Sequence, residues 1–269
     1  ADAQILHSLD SGTGNAVLSV DGLAFNDKFQ PEKITPLTLG VIANVKGRLT
    51  GDGRIDWTPE AVRSTGHFTV LNTDLAAAFG PVEGIETEIK FTDLLGMVTE
   101  PGQIARVRSV NPGIPTYEGV IRYQLLPDQQ VRIEEGRWPF YGGELILEPT
   151  VLDFDIASER KLTFRVIGLD AEKFLAGYDL QNLQVEGVFD GTLPMVFNQE
   201  GGRIVGGYLA SRPGGGELSY LGELTYEDMG VFANFAFQAL RSIRFREMRI
   251  GVDGKIDGEI VTDVAFEGL

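Results

Sequence analysis

Residues 119–147 read GVIRYQLLPDQQVRIEEGRWPFYGGELIL, and the same order of features returns at 191–220 as GTLPMVFNQEGGRIVGGYLASRPGGGELSY. Each stretch gives an alternating apolar run, a polar turn, a second run, and glycines leading into Glu-Leu. Alternation with a period of two marks a strand with one buried face. Gly119 to Gly191 is 72 residues and Glu144 to Glu217 is 73, so one structural unit occurs twice with a single-residue slip. Stacked units of this kind share a continuous apolar face. Pro139 and Pro213 stand just ahead of the Glu-Leu strands, where a residue that cannot donate to the ladder is tolerated. Trp138 and Phe140 share a face, and Gly142-Gly143 permits a bend before Leu145 and Leu147 rejoin the apolar side.

Working outward, the 34 glycines fall mostly between short alternating runs, the pattern of many strands joined by tight turns. In LTLGVIANVKGRLTGDGRIDW (37–57), Gly51-Asp52-Gly53 predicts a turn. In MRIGVDGKIDGEIVTDVAF (248–266), Met248, Ile250 and Val252 share a face, a turn is predicted at Asp253-Gly254, and the strand resumes through Ile260. Helical signals interrupt at three places. NTDLAAAFG (72–80) and LDAEKFLAG (169–177) read as short connector helices, the second capped by Asp170 and stopped by Gly177. TYEDMGVFANFAFQALRSIRF (225–245) reads as one amphipathic helix near the C-terminus, with Phe232, Phe235, Leu240 and Ile243 on its apolar side.

A formal charge of -16, from 39 acids against 23 bases, argues against nucleic-acid binding. The absence of cysteine excludes disulfides and thiolate metal sites and suits either the cytosol or a Gram-negative periplasm. The opening ADAQILHSLD has no basic or apolar leader, so the chain reads as a piece of a longer protein. No apolar run approaches the roughly 18 residues of a membrane span. His7 and His67 are the only histidines and stand alone in sequence; no nucleophile elbow, phosphate loop or dinucleotide fingerprint is present. We therefore expect no catalytic residue, no metal and no cofactor, although paired acids on a β fold leave a glycosidase-like site open.

Eight segments in order, among them TEPGQ (99–103), NPGIPTYEGVIRY (111–123), VIGLDAEKF (166–174), GGRIVGGYL (201–209) and PGGGELSY (213–220), resemble the C-terminal domain of the YdbH-like family, AsmA-like proteins of the Gram-negative envelope. The resemblance spans about 91–269; residues 1–90 match in style only. It implies a single elongated domain over 1–269, a long twisted antiparallel sheet curled into an open, taco-like groove that carries phospholipid acyl chains between inner and outer membranes. It implies a periplasmic location, an inner-membrane anchor outside this sequence, and a YnbE-like outer-membrane lipoprotein as partner at the C-terminal end.

Under that resemblance, the groove wall in the first repeat comprises Ile121, Tyr123, Val131, Ile133, Trp138, Phe140, Leu145 and Leu147. Leu162, Phe164 and Val166 follow, then Leu193, Met195, Phe197, Ile204, Leu218 and Tyr220 in the second repeat. Met248, Ile250, Val252 and Ile260 complete it, with the Phe-rich helix as an end cap or lid. Two other readings stand beside the lipid conduit: a closed sandwich core, and an assembly module pairing through its C-terminal edge strand. A 16-carbon chain gains on the order of 12 kcal/mol on leaving water, enough to favour a lined groove without a headgroup site.

Overall fold

The computed structural model describes residues 1–77, 80–112, 114–154, 158–177, 183–198, 200–220, 242–256 and 258–268. The chain is mainly β, an open antiparallel sheet. Its strands are β1 (Asp2–His7), β2 (Gly14–Phe25), β3 (Ile42–Trp57), β4 (Val62–Ala77), β5 (Gly80–Asp93), β6 (Val98–Thr99), β7 (Gln103–Val110), β8 (Thr116–Leu126) and β9 (Gln130–Phe140). There follow β10 (Gly143–Leu147), β11 (Thr150–Asp153), β12 (Arg160–Asp170), helix α1 (Ala171–Ala176), β13 (Leu183–Glu186), β14 (Val188–Asn198), β15 (Gly201–Ser211), β16 (Gly216–Tyr220), β17 (Ile243–Lys255) and β18 (Ile260–Gly268).

The repeat is visible in these bounds. Strands β8 and β9 have 11 residues each and β10 has 5; β14, β15 and β16 have 11, 11 and 5. The turn ahead of the short strand uses left-handed backbone in both copies, Tyr141 and Gly142 in one (φ 44° and 86°), Gly214 and Gly215 in the other (φ 115° and 66°). The aromatics of the first repeat thus close β9 rather than open β10.

The residues form two compact units. Unit 1 comprises Ala1–Trp138, Leu147–Leu162 and Val196–Gly202. Here β1 to β5 pair in chain order, β5 continues to β7, β7 to β8, β8 to β9, and β9 to β11, all antiparallel. Unit 2 comprises Pro139–Ile146, Thr163–Met195 and Arg203–Leu269. In it β17 pairs with β18 along one edge and with β15 and β16 along the other, and β16 pairs with β13.

Four local expectations are corrected. Gly51-Asp52-Gly53 lies inside β3, with Gly51 opposite Phe68 and Gly53 opposite Gly66. The glycines make room: a Cβ on Gly53 would sit 2.8 Å from the Leu94 side chain, which lies across the sheet there. Asn72–Ala77 continues β4 instead of forming a helix, with Leu75 opposite Val82 and Ala76 opposite Pro81. Pairing on both sides overrides the weak helical preference of three alanines, and Asn72 (φ 42°) sits where the register slips. The turn expected at Asp253-Gly254 is displaced, because both residues stay in the ladder opposite Val261 and Ile260, and the Lys255 N–H donates to the Glu259 carbonyl. Ile243 opens β17 opposite Leu218, so the predicted C-terminal helix does not include it; Phe232, Phe235 and Leu240 lie outside the described residues. The connector at 169–177 forms as expected: Asp170 accepts from the Lys173 N–H and Gly177 ends the helix.

Ladder irregularities expose backbone groups, and side chains take them up. The β3–β4 register slips between Ala43 and Lys46. There Gln30 accepts from the Val45 N–H (2.8 Å) and donates to the Val45 carbonyl (2.9 Å), standing in for a strand neighbour. Gln103 accepts from the Lys90 N–H, Thr99 from the Leu125 N–H, and Ser211 from the Met248 N–H. Gln30→Ala removes both partners of Val45 at once, and we expect a loss of about 1–3 kcal/mol of stability in urea unfolding followed by tryptophan fluorescence.

Candidate functional site

The candidate site is the apolar side of the strands, taken unit by unit, and its residues differ in accessibility. In unit 1, Trp138 is 3% exposed. Its indole lies across Gly119 on β8 and Gly136 on its own strand, where any Cβ would meet the ring. Ile133, Leu147, Leu162 and Phe197 are also buried in this unit, while Ile121, Tyr123 and Val131 are half-buried. In unit 2, Phe140, Leu145, Phe164, Val166, Leu193, Met195, Ile204 and Met248 are buried. Leu218, Tyr220, Ile250 and Val252 are half-buried, and Ile260 on β18 is exposed. Most of the expected wall is therefore already packed, and the half-buried rows are what a bound molecule can reach without parting side chains.

Strand alternation produces this arrangement directly. On β12, Leu162, Phe164 and Val166 are buried while Lys161 and Arg165 are exposed. On β17, Met248, Ile250 and Val252 alternate with exposed Arg249 and Asp253. Two of the most enclosed residues were not among those expected. Phe189 on β14 and Phe245 on β17 pack with ring centroids 6.4 Å apart, and a Cβ on Gly216 would lie 2.6 Å from the Phe245 ring. Phe245 was read into the helical stretch, which hid its strand alternation with Ile243. Ile146, between the two expected leucines of β10, is buried as they are, so this strand is enclosed on both sides.

Polar atoms near the face are turned to the fold. In unit 1 the Thr87 hydroxyl donates to the Ile104 carbonyl and shares a 3.1 Å hydrogen bond with the Tyr123 hydroxyl. Burial raises the Tyr123 phenol, with the Thr87 bond opposing, so it stays a neutral group. A hollow of about 480 Å³ lies in unit 1 among Leu71, Glu86, Glu88, Lys90, Ile104 and Arg106, exposed residues of the charged side. His7 accepts from the Trp57 indole N–H at 3.1 Å, and His67 stands 3.6 Å from Glu88. Among the described residues no three His, Asp or Glu side chains converge to hold a metal.

In unit 2 an aromatic cluster joins the β9–β10 turn to α1: Phe174 stacks edge-on to Tyr141 at 5.1 Å and packs on Phe140 at 6.4 Å. The neighbouring polar clip is Asp190 on β14. It accepts from Arg212 Nε and Nη2, both at 2.8 Å, and from the Gly168 N–H at 2.7 Å, tying β12, β14 and the end of β15 together. The bidentate Arg212 bond holds the Asp190 carboxyl below the usual carboxylate range. A carboxyl depressed in the folded state stabilises the fold above its unfolded value near about pH 4 and loses that contribution as pH falls through the folded value. Asp190→Asn should therefore lower Tm at neutral pH, and the gap to the wild type should close as melting curves are taken below about pH 4.

Fold and face together define a β-sheet protein whose strands carry apolar rows on one side, and among the described residues no three His, Asp or Glu side chains converge. The family model for YdbH-like proteins, described as intermembrane phospholipid transport protein YdbH, matches residues 1–269, and the chain belongs to that family. The match takes in the first ninety residues as well as the motif-bearing part. Neither curated proteins nor solved structures give a match to this chain.

Proposed function

We propose that this chain is the periplasmic segment of a bridge-like lipid transfer protein and that acyl chains travel along its apolar face. The carrying observation is the one-sided strand pattern: apolar rows enclosed or half-enclosed on one side, charged residues on the other, in a family described as moving phospholipid between membranes. The half-buried rows, Ile121, Tyr123 and Val131 in unit 1 and Leu218, Tyr220, Ile250 and Val252 in unit 2, are the entry level for lipid. Deeper residues such as Met195 and Phe197 hold the walls in place and contact lipid only when they part. Headgroups remain in water, which an acidic outer surface leaves unclamped. The longer protein's inner-membrane anchor and a lipoprotein at the outer membrane complete the path. The whole chain acts as one groove-forming segment under this reading.

Native mass spectrometry of the purified chain, with lipid extraction in parallel, tests this. Bound phospholipid is expected in the wild type and is expected to be lost in Ile121→Asp and Ile250→Asp with Tm within a few degrees, since both sites are only half-buried. A wild type free of lipid, or variants that keep it, sinks the proposal. Phe197→Asp serves as the contrast: it places a charge in a site 3% exposed and should unfold the chain.

One observation favours a second role for the C-terminal strand. Every residue of β18 is exposed, including Ile260, Val261, Val264 and Phe266, and β17 lies along one of its edges. Such a strand offers backbone donors and acceptors to a partner strand, and a YnbE-like lipoprotein is the partner we assign to it. Deleting 260–268 should abolish capture of that lipoprotein in a pull-down while bound lipid is retained; loss of lipid together with the partner would assign the strand to the groove instead.

A further inference from the structure

The half-buried row of unit 1 stops at one side chain. Residues two apart on a strand share a face, so Gly119, Ile121, Tyr123 and Leu125 lie on one side of β8. Ile121, Tyr123 and Leu125 are half-buried, as is Val131 opposite Leu125 on β9, whereas Gly119 is buried. The change falls where Trp138 lies. Its indole reaches across both strands: a Cβ on Gly119 would meet Nε1, and one on Gly136 would sit 2.8 Å from the far edge of the six-membered ring. Gly136 is the ladder partner of Ile121, so the ring stands against the last half-buried residue of the row. Leu147 Cβ lies 3.1 Å from the same Gly136 position, so the space beside the ring is taken as well.

We propose that Trp138 is an end stop for acyl chains in unit 1, a specificity-determining residue that limits how far along β8 and β9 a lipid tail extends. The inference rests on lipid carriage on the apolar face. A tail lies on Ile121, Tyr123 and Leu125 with its methyl end against the indole. Each further methylene buried on that row strengthens binding about four-fold until the tail reaches the ring, beyond which added carbons stay in water. An indole suits the task because it is flat and rigid, and glycines on both strands seat it, so the row closes without a void for a chain to enter. The stop acts along the strands, and it sets reach rather than passage from one strand to the next.

Native mass spectrometry of the purified chain against an equimolar set of phosphatidylethanolamines, with tails lengthening two carbons at a time, tests it. In the wild type, occupancy should climb with tail length to a limit and then level off. Trp138→Leu should move that limit to longer tails, and Ile121→Trp, which adds a ring one step nearer the half-buried end, should move it to shorter ones. Phe68→Leu is the control: its ring is buried over Gly66 on β4, away from β8 and β9, and the profile should match the wild type. Both large-to-small changes lower Tm, so the tail-length profile and not stability decides. The same limit in the wild type, Trp138→Leu and Ile121→Trp overturns the stop and leaves lipid carriage standing. A shift in Phe68→Leu equal to that in Trp138→Leu assigns the effect to a softened unit and overturns it too. A wild type without bound lipid sinks lipid carriage itself, and the stop with it.

Discussion

Strands whose large apolar residues fall mostly on one side have to keep that side from water, and much of each unit answers to that constraint. Alternation along β12, β14 and β17 sorts residues to the two sides. The enclosed side is then filled by its own bulky members, Trp138 over Gly119 and Phe189 against Phe245, so packing between strands does what a second layer does in a sandwich. What remains half-covered is Ile121, Tyr123 and Val131 in unit 1 and Leu218, Tyr220, Ile250 and Val252 in unit 2.

Twisted, irregular strands carry a second cost. Each register slip leaves an N–H or C=O without its ladder neighbour, and beside an apolar face water is a poor substitute. The chain answers with Gln30, Gln103, Thr99 and Ser211, each bonded to a backbone group. Buried threonine and glutamine on such a face would ordinarily suggest ligand recognition. Here the hydrogen bonds of Gln103, Thr99 and Ser211 go to backbone groups of neighbouring strands.

The strand character, the two repeats and the inward set Trp138, Phe140, Leu145, Leu147, Met195 and Phe197 were legible because period-two alternation is a local property. The repeat was legible as a spacing and reappears as strands of matching length. Errors fell where local and long-range terms compete. Asn72–Ala77 and Ile243 carry helical composition but are held extended by strands far away in sequence. Gly51, Gly53 and Gly254 carry turn composition but serve the ladder. Which inward residues are enclosed and which are half-open follows from side chains that reach across from other strands, and no window of sequence contains that information.

The glycines beneath large side chains give this sequence an unusual grammar. At Gly119, Gly136 and Gly53 the space where a Cβ would stand is taken by a tryptophan or leucine side chain. Any point change at such a codon can only add atoms, so drift is permitted in the large partner, which can shrink, and barred in the glycine, which cannot grow. An invariant glycine in an alignment of these chains would then record the footprint of a neighbouring ring, and the pairing of a fixed glycine with a variable bulky residue would report a contact between strands.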